Sequence, residues 1–204
     1  MKALELRSRR SARLGPPESQ PDGVIGTAPD RLDRHMEFRL ASRAGRGILW
    51  AMPHVPGLRS CYAKVGRLVY FGRMLDKIRL HAAGKLPAEY QKNLGDGQFF
   101  VLDGRCCRFL GVRYADVRDR TLAGSTDEEV LAWVQAHGTP RTDEECHMWN
   151  RFLLKLGWRD ERSALLPQRI IDAGLTGKPI ETIIDHIEFD EGRDPVTTKA
   201  WDSV

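Results

Sequence analysis

The chain has 204 residues, 41% of them hydrophobic and 29% charged, enough for one sizeable core and too short for several. No run of about 18 apolar residues occurs, so no membrane span is expected. The net charge of +4 is unevenly placed: of 32 basic and 28 acidic residues, ten and six fall in residues 1–46, leaving 22 of each in the remainder. A phosphate-binding surface should carry its excess on the folded face, so nucleic acid is not an expected partner.

Residues 1–46 are rich in Arg, Ser, Pro, Gly and Asp, and GPPESQPDG buries too little to offset the entropy of ordering it. They read as a basic, disordered extension; translation starting at Met36 or Met52 is the other reading. Six acids and a central proline cluster set the segment apart from an organelle transit peptide. Residues 47–204 are expected to form a single helical domain. Cys61, Cys106, Cys107 and Cys146 follow no disulfide-framework spacing, which points to reduced thiols and a cytoplasmic location.

Pro53 and Pro56 break the apolar segment 48–58 into an extended stretch laid over the domain. The most regular pattern follows in VGRLVYFGRMLDKIRLHAAGKLP, where Phe71, Met74, Leu75, Ile78 and Ala82 form one stripe at the helical period. A helix is expected over about residues 68–83, stopped by Gly84 and Pro87. Arg73 and Lys77 are like charges one turn apart, Gly72 is costly within the helix and tolerated for close approach, and Leu80 points to the charged side, so that side is expected to be partly covered. NLGDGQFFVLD reads as a Gly-containing loop with an apolar patch or short strand, and short helices are expected over about 104–110 and 114–122. Two capping boxes, Ser125 with Glu128 and Thr142 with Glu145, announce the next two helices. Cys146, Trp149, Phe152, Leu153 and Leu156 lie on the core face of the second. Pro167 must kink or divide residues 162–173, and Pro179 opens a last helix carrying Ile180, Ile183, Ile184 and Ile187. The fold class is all-α: a compact domain of about six to seven helices.

The blocks LVYFGRMLDKIRLHAAGKLP, DGRCCRFLGV, TDEEVLAWVQAHG, TDEECHMWNRFLLKLGWRDE and DHIEFDEGR occur in order. Together they resemble a bacterial family known only as a domain of unknown function. The resemblance covers about residues 56–193 and implies a small, mainly helical cytosolic domain; it brings no substrate, cofactor or catalytic residue.

The charged side of the first helix is the leading candidate site. Arg73 and Lys77 can clamp a carboxylate or phosphate, Asp76 can hold Arg73, and Tyr70 or His81 can supply a polar handle; the alternative is a face that is solvated or satisfied by neighbouring helices. Cys106, Cys107, Cys146, His147 and His186 offer zinc or iron ligands, but there is no C-x-x-C pair and Cys146 falls on an apolar face, so no metal is expected. Glu144 and His147 make only half of a di-iron motif. The acidic group Glu181, Asp185, Glu188, Asp190, Glu191 and Asp194 can bind a divalent cation, meet the basic side of the first helix, or stand in solvent. Gly95, Gly97 and Gly104 form no phosphate fingerprint. The favoured function is a non-enzymatic binding or regulatory module holding a small anionic ligand or a protein partner. The alternative is a small cytosolic enzyme drawing acid/base groups from Tyr70, Asp76, Lys77 or His81, although Asp76 and His81 lie about 140° apart around a helix.

Overall fold

The computed structural model describes residues 54–204; the expected extension of residues 1–46 and residues 48–53 of the apolar segment lie outside the described residues. Among these, the chain is mainly helical. Eight α-helices run in the order α1 (Phe71–Ala82), α2 (Ala88–Gln91), α3 (Leu102–Leu110), α4 (Tyr114–Leu122), α5 (Asp127–His137), α6 (Asp143–Leu154), α7 (Leu166–Asp172) and α8 (Ile183–Asp190). One antiparallel hairpin, β1 (Lys64–Val65) and β2 (Leu68–Val69), precedes them.

The hairpin corrects the expected start of the first helix. Leu68 and Val69 are strand residues, because Gly66 turns the chain at a φ of 56° and Asn150 of α6 takes the two backbone groups that the short ladder leaves over. Its Oδ1 accepts from the Val69 amide at 3.1 Å and its Nδ2 donates to the Arg67 carbonyl at 2.9 Å. Tyr70 then sits at the N-cap of α1 with a φ of 68°, a left-handed conformation that costs a tyrosine about 1–2 kcal/mol and persists only where its surroundings hold it. From Phe71 onward the expected stripe is real: Phe71, Met74, Leu75 and Ile78 enter the main core with Val117, Val130, Val134, Leu153 and Ile184, while Ala82 is exposed. Gly72 lies within the first turn of a continuous α1 and has a packing cause, since a Cβ there would lie 2.4 Å from Nη1 of Arg59 and 2.8 Å from a methyl of Val65. Leu80 turns toward a smaller cluster of Val55, Leu58, Leu86 and Tyr90, so the segment around residues 55–58 lies against the charged side of α1.

No strand forms in the 93–101 loop. The α5 cap is one residue later than expected. Thr126 and Glu129 make the reciprocal pair, with the Thr126 amide donating to Glu129 Oε2 at 2.8 Å, while the carbonyl of Ser125 accepts from Arg79. Thr142 and Glu145 cap α6 as expected. Thr142→Ala is predicted to lower the unfolding free energy by about 1 kcal/mol, measured as a shift in the urea midpoint at unchanged slope; an unshifted midpoint would mean the box contributes nothing. Pro167 divides its segment, with a 3₁₀ turn at Ser163–Leu165 before it and α7 starting at Leu166. Pro179 does not open α8. Thr182 does, through a capping box with Asp185, and the Ile183 amide is tied to the Leu156 carbonyl at 2.7 Å, so the chain reaches the core in extended form and turns helical only there.

Candidate functional site

Four of the five residues singled out on the first helix are buried. Tyr70, Arg73, Asp76 and Lys77 are at most 7% exposed, whereas His81 is exposed. What covers them is other parts of the same chain, in three ion-pair groups.

The first group joins α1 to the end of α8. Arg73 forms a two-pronged pair with Glu191, donating to Oε2 at 2.9 Å and also to Oε1, and its Nη1 donates to the Arg59 carbonyl at 2.7 Å. Glu191 also pairs with Arg193 and accepts from the Tyr90 hydroxyl at 2.9 Å. Arg193 donates to Glu188 at 2.5 Å, and Glu188 takes the Cys61 amide at 2.7 Å. Burial alone would raise the pKa of Glu191, but Arg73, Arg193 and Tyr90 outweigh it and hold the carboxyl below its ordinary value.

The second group is deepest. The Lys77 ammonium donates to Asp103 Oδ1 at 2.6 Å, to the Tyr70 hydroxyl at 3.0 Å and to the Asn93 carbonyl at 3.2 Å, and Tyr70 in turn donates to Asp103 Oδ1 at 2.9 Å. These bonds hold the left-handed Tyr70 in place. Complete burial pushes the pKa of Asp103 up, and Lys77, Tyr70 and, more weakly, the Gly95 backbone pull against that rise. Its second oxygen, Oδ2, has no hydrogen-bond partner among the described residues.

The third group is nearer the surface. Arg59 grips Asp76 through Nε and Nη2, each at 2.7 Å, and Nη2 lies 2.6 Å from Asp127. Asp127 is also paired with Arg79 at 2.6 Å. A shallow depression of about 290 Å³ opens beside Arg59 and Asp76, walled by Gly57 and Leu58.

The acidic C-terminal group therefore splits by role. Glu191 meets the basic side of α1 through Arg73, and Glu188 pairs with Arg193 and the Cys61 amide. Asp185 caps α8 and accepts from the Tyr62 hydroxyl at 3.1 Å. Asp194 binds the backbone of Val196 and Thr197, and Glu181 is exposed ahead of the helix. All four cysteines are free and buried; burial pushes the thiols of Cys61 and Cys107 up to about 12 and raises those of Cys106 and Cys146, which keeps them protonated and unreactive. His186 is buried with its Nε2 3.2 Å from the Arg169 carbonyl, while His147 faces out. No group of three or more His, Cys, Asp or Glu is placed to hold a metal ion among the described residues.

A second surface was not legible in the sequence. Phe99 and Phe100 from the loop before α3 and Met148 and Phe152 from α6 are 49–67% exposed. Three of them are gathered by one cation: the Arg105 guanidinium lies 5.4, 5.5 and 5.6 Å from the ring centres of Phe99, Phe100 and Phe152. Phe152 borders a groove of about 360 Å³ lined also by Phe109, Glu145, Met148 and Trp149. Periodicity placed Phe152 on the core face, and it missed that the Phe99–Phe100 pair would stop short of the core.

With this geometry in view, the comparison with known families is specific in extent: the family model described as a domain of unknown function (DUF5069) matches residues 55–193. The chain belongs to this family. The match spans the hairpin and all eight helices, and it ends at Arg193, the last cation of the first ion-pair group. No curated protein matches the chain. No helix among the described residues is long and apolar enough to cross a membrane.

Proposed function

We propose that this member of the family is a non-enzymatic binding module whose partner is another protein, and that the charged side of α1 is the internal frame that holds the module's shape. One observation carries the reading: the Lys77 ammonium has three N–H bonds, and Asp103, Tyr70 and Asn93 take all three. Arg73 is likewise clamped to Glu191. A small anion arriving at this side would have to displace a seated carboxylate and leave it buried without its cation, at a cost of about 3–5 kcal/mol. The exposed apolar surface around Phe152 supports a protein partner instead, since contiguous apolar patches on a folded surface mark interaction sites. Four protonated, unpaired thiols fit a reducing, cytoplasmic setting.

The test is a thermal-shift screen of the full-length chain against anionic metabolites and metal ions, in which a ligand at 100 times its Kd adds about 2.7 kcal/mol of stability. No small anion is expected to stabilise the chain through this side. A metabolite that does so in the wild type but not in Tyr70→Phe, with the variant otherwise folded, would restore Tyr70, Arg73, Asp76, Lys77 and His81 as a small-ligand site. A second reading, an enzyme using Lys77 and Tyr70 as acid/base groups, has the unpartnered Oδ2 of Asp103 in its favour, because such groups cluster at catalytic sites. Against it stands Lys77 itself, 2% exposed with all three donors engaged.

A further inference from the structure

We infer that the surface framed by Phe99, Phe100, Phe152 and Arg105 docks an acidic segment of a partner protein, with an apolar side chain of that segment entering the groove beside Met148 and Trp149. This rests on the reading of the chain as a protein-binding module. It adds the place and the chemistry of the partner.

The apolar component is exposed to an unusual degree. Phe99 is 67% exposed, Met148 61% and Phe152 50%, and they adjoin a groove whose floor is firm because Trp149 stacks on Phe109 at 4.7 Å and 11°. An aromatic pair at the base of a concave apolar site, with flexible Met148 at its edge, is the geometry that anchors a buried side chain in interfaces.

The charge of the partner follows from the arginines. Arg105 has one carboxylate within ion-pair distance among the described residues, Glu161 at 3.8 Å, and its Nε is buried without a hydrogen-bond partner. Arg108 and Arg162 make no ion pair among the described residues; each gives a hydrogen bond to a main-chain carbonyl, of Phe99 at 2.6 Å and of Phe100 at 3.1 Å. Three cations thus surround two phenyl rings; among the described residues only Glu161 comes within ion-pair distance of them, and Asp160, which acts on Arg162 from farther off, has its carboxylate engaged by the Gly157 and Arg162 amides. Burial and then the proximity of Arg105 and Arg169 lower the pKa of Arg162 against the smaller opposing pull of Glu161 and Asp160, so a partner carboxylate here would add to a pull that the chain itself leaves incomplete. The acid on the groove wall, Glu145, is already held by Arg141 at 2.9 Å and by the α6 cap, so it does not cancel the excess.

Nucleic acid fits this surface less well. Bases bind by stacking on open aromatic faces. Here Arg105, Arg108 and Arg162 already lie 4.6–5.5 Å over the rings of Phe99 and Phe100, and the two rings stand at 81° to each other, so they present no parallel platform.

The experiment uses the full-length chain as bait for a displayed library of random peptides about a dozen residues long. Enrichment of sequences combining Asp or Glu with Leu, Ile or Phe is expected. A synthesised member of the enriched set should bind at least about tenfold more weakly to Phe152→Ser and to Arg162→Glu and should weaken as salt rises. Both side chains reach solvent, so unchanged melting of the variants serves as the fold control. Acidic peptides that bind both variants as tightly as the wild type would overturn this surface and leave the binding-module reading standing. Enrichment of basic sequences would overturn the inferred chemistry, and no enrichment at all would overturn both. Oligothymidylate that binds through Phe152 and displaces the peptide would replace the protein partner with single-stranded nucleic acid.

Discussion

Lys77→Met is expected to lower the unfolding free energy of the chain by about 3–5 kcal/mol, because it leaves the Asp103 carboxylate buried without its cation. Asp103 is wholly buried, and once Lys77 is gone the neutral Tyr70 hydroxyl and the Gly95 backbone are the groups left to counter its charge. The cost comes from the orphaned charge rather than from the lost attraction, and the two are separable. Lys77→Met combined with Asp103→Asn removes the charge while keeping an acceptor for the Tyr70 hydroxyl, and should recover at least about 2 kcal/mol of the loss. Urea denaturation of the two variants decides the matter. A double variant no more stable than the single one would show that the group acts through packing or through Lys77 alone. With typical domain stabilities near 5–15 kcal/mol, the single variant would be only marginally folded.

Arg73→Met is expected to cost a comparable amount at neutral pH, again about 3–5 kcal/mol, and to do so in a pH-dependent way. Glu188 and Glu191, 1% and 3% exposed, would be left sharing Arg193. The folded-state pKa of Glu191 lies below its ordinary value. Its contribution is therefore fully present above the unfolded-state pKa near 4.5 and is lost as pH falls through the folded value. Asp127, also held low once Arg79 and Arg59 outweigh its burial, acts in the same sense. Asp103, whose pKa is raised, acts in the opposite sense and moderates the acid limb. The gap between wild type and Arg73→Met should narrow as pH is lowered from about 6 to about 3. A gap that stays constant across that range would mean Glu191 titrates alike in both proteins and is not held by Arg73.

The sequence announced some of this organisation and concealed the rest for identifiable reasons. The stripe of Phe71, Met74, Leu75 and Ile78 was legible because a helical period depends only on local spacing, and Thr142 with Glu145 because a capping box is a local chemical signature. The cover over the other side of α1 was foreshadowed by Gly72 and Leu80, which now have partners in Arg59 and in the Val55, Leu58 and Tyr90 cluster. What covers it could not be read. Glu191 is 118 positions from Arg73 and Asp103 is 26 from Lys77, and charge alone does not say which carboxylate meets which cation. The hairpin was hidden because Leu68 and Val69 continue the apolar content of the helix that follows. The late start of α8 was hidden because a threonine cap and a proline opening compete within four residues. Phe152 misled for a related reason: it keeps the period of the core face of α6 but lies beyond its edge, where Arg105 takes the place of core.

These particulars favour one picture: α1 is the organising helix by virtue of both its sides, one packed in apolar core and the other closed by the chain's own charges, and we propose that recognition falls to the surface around Arg105. Acylation of the native full-length chain by a small amine-reactive ester, followed lysine by lysine by mass spectrometry, tests that closure most directly. Exposed Lys64, Lys85 and Lys155 should react at once. Lys77, 2% exposed with all three donors engaged, should react only at the rate of unfolding. Labelling of Lys77 in the folded chain as fast as the exposed lysines would contradict an internally closed face and return it to candidacy as a ligand site.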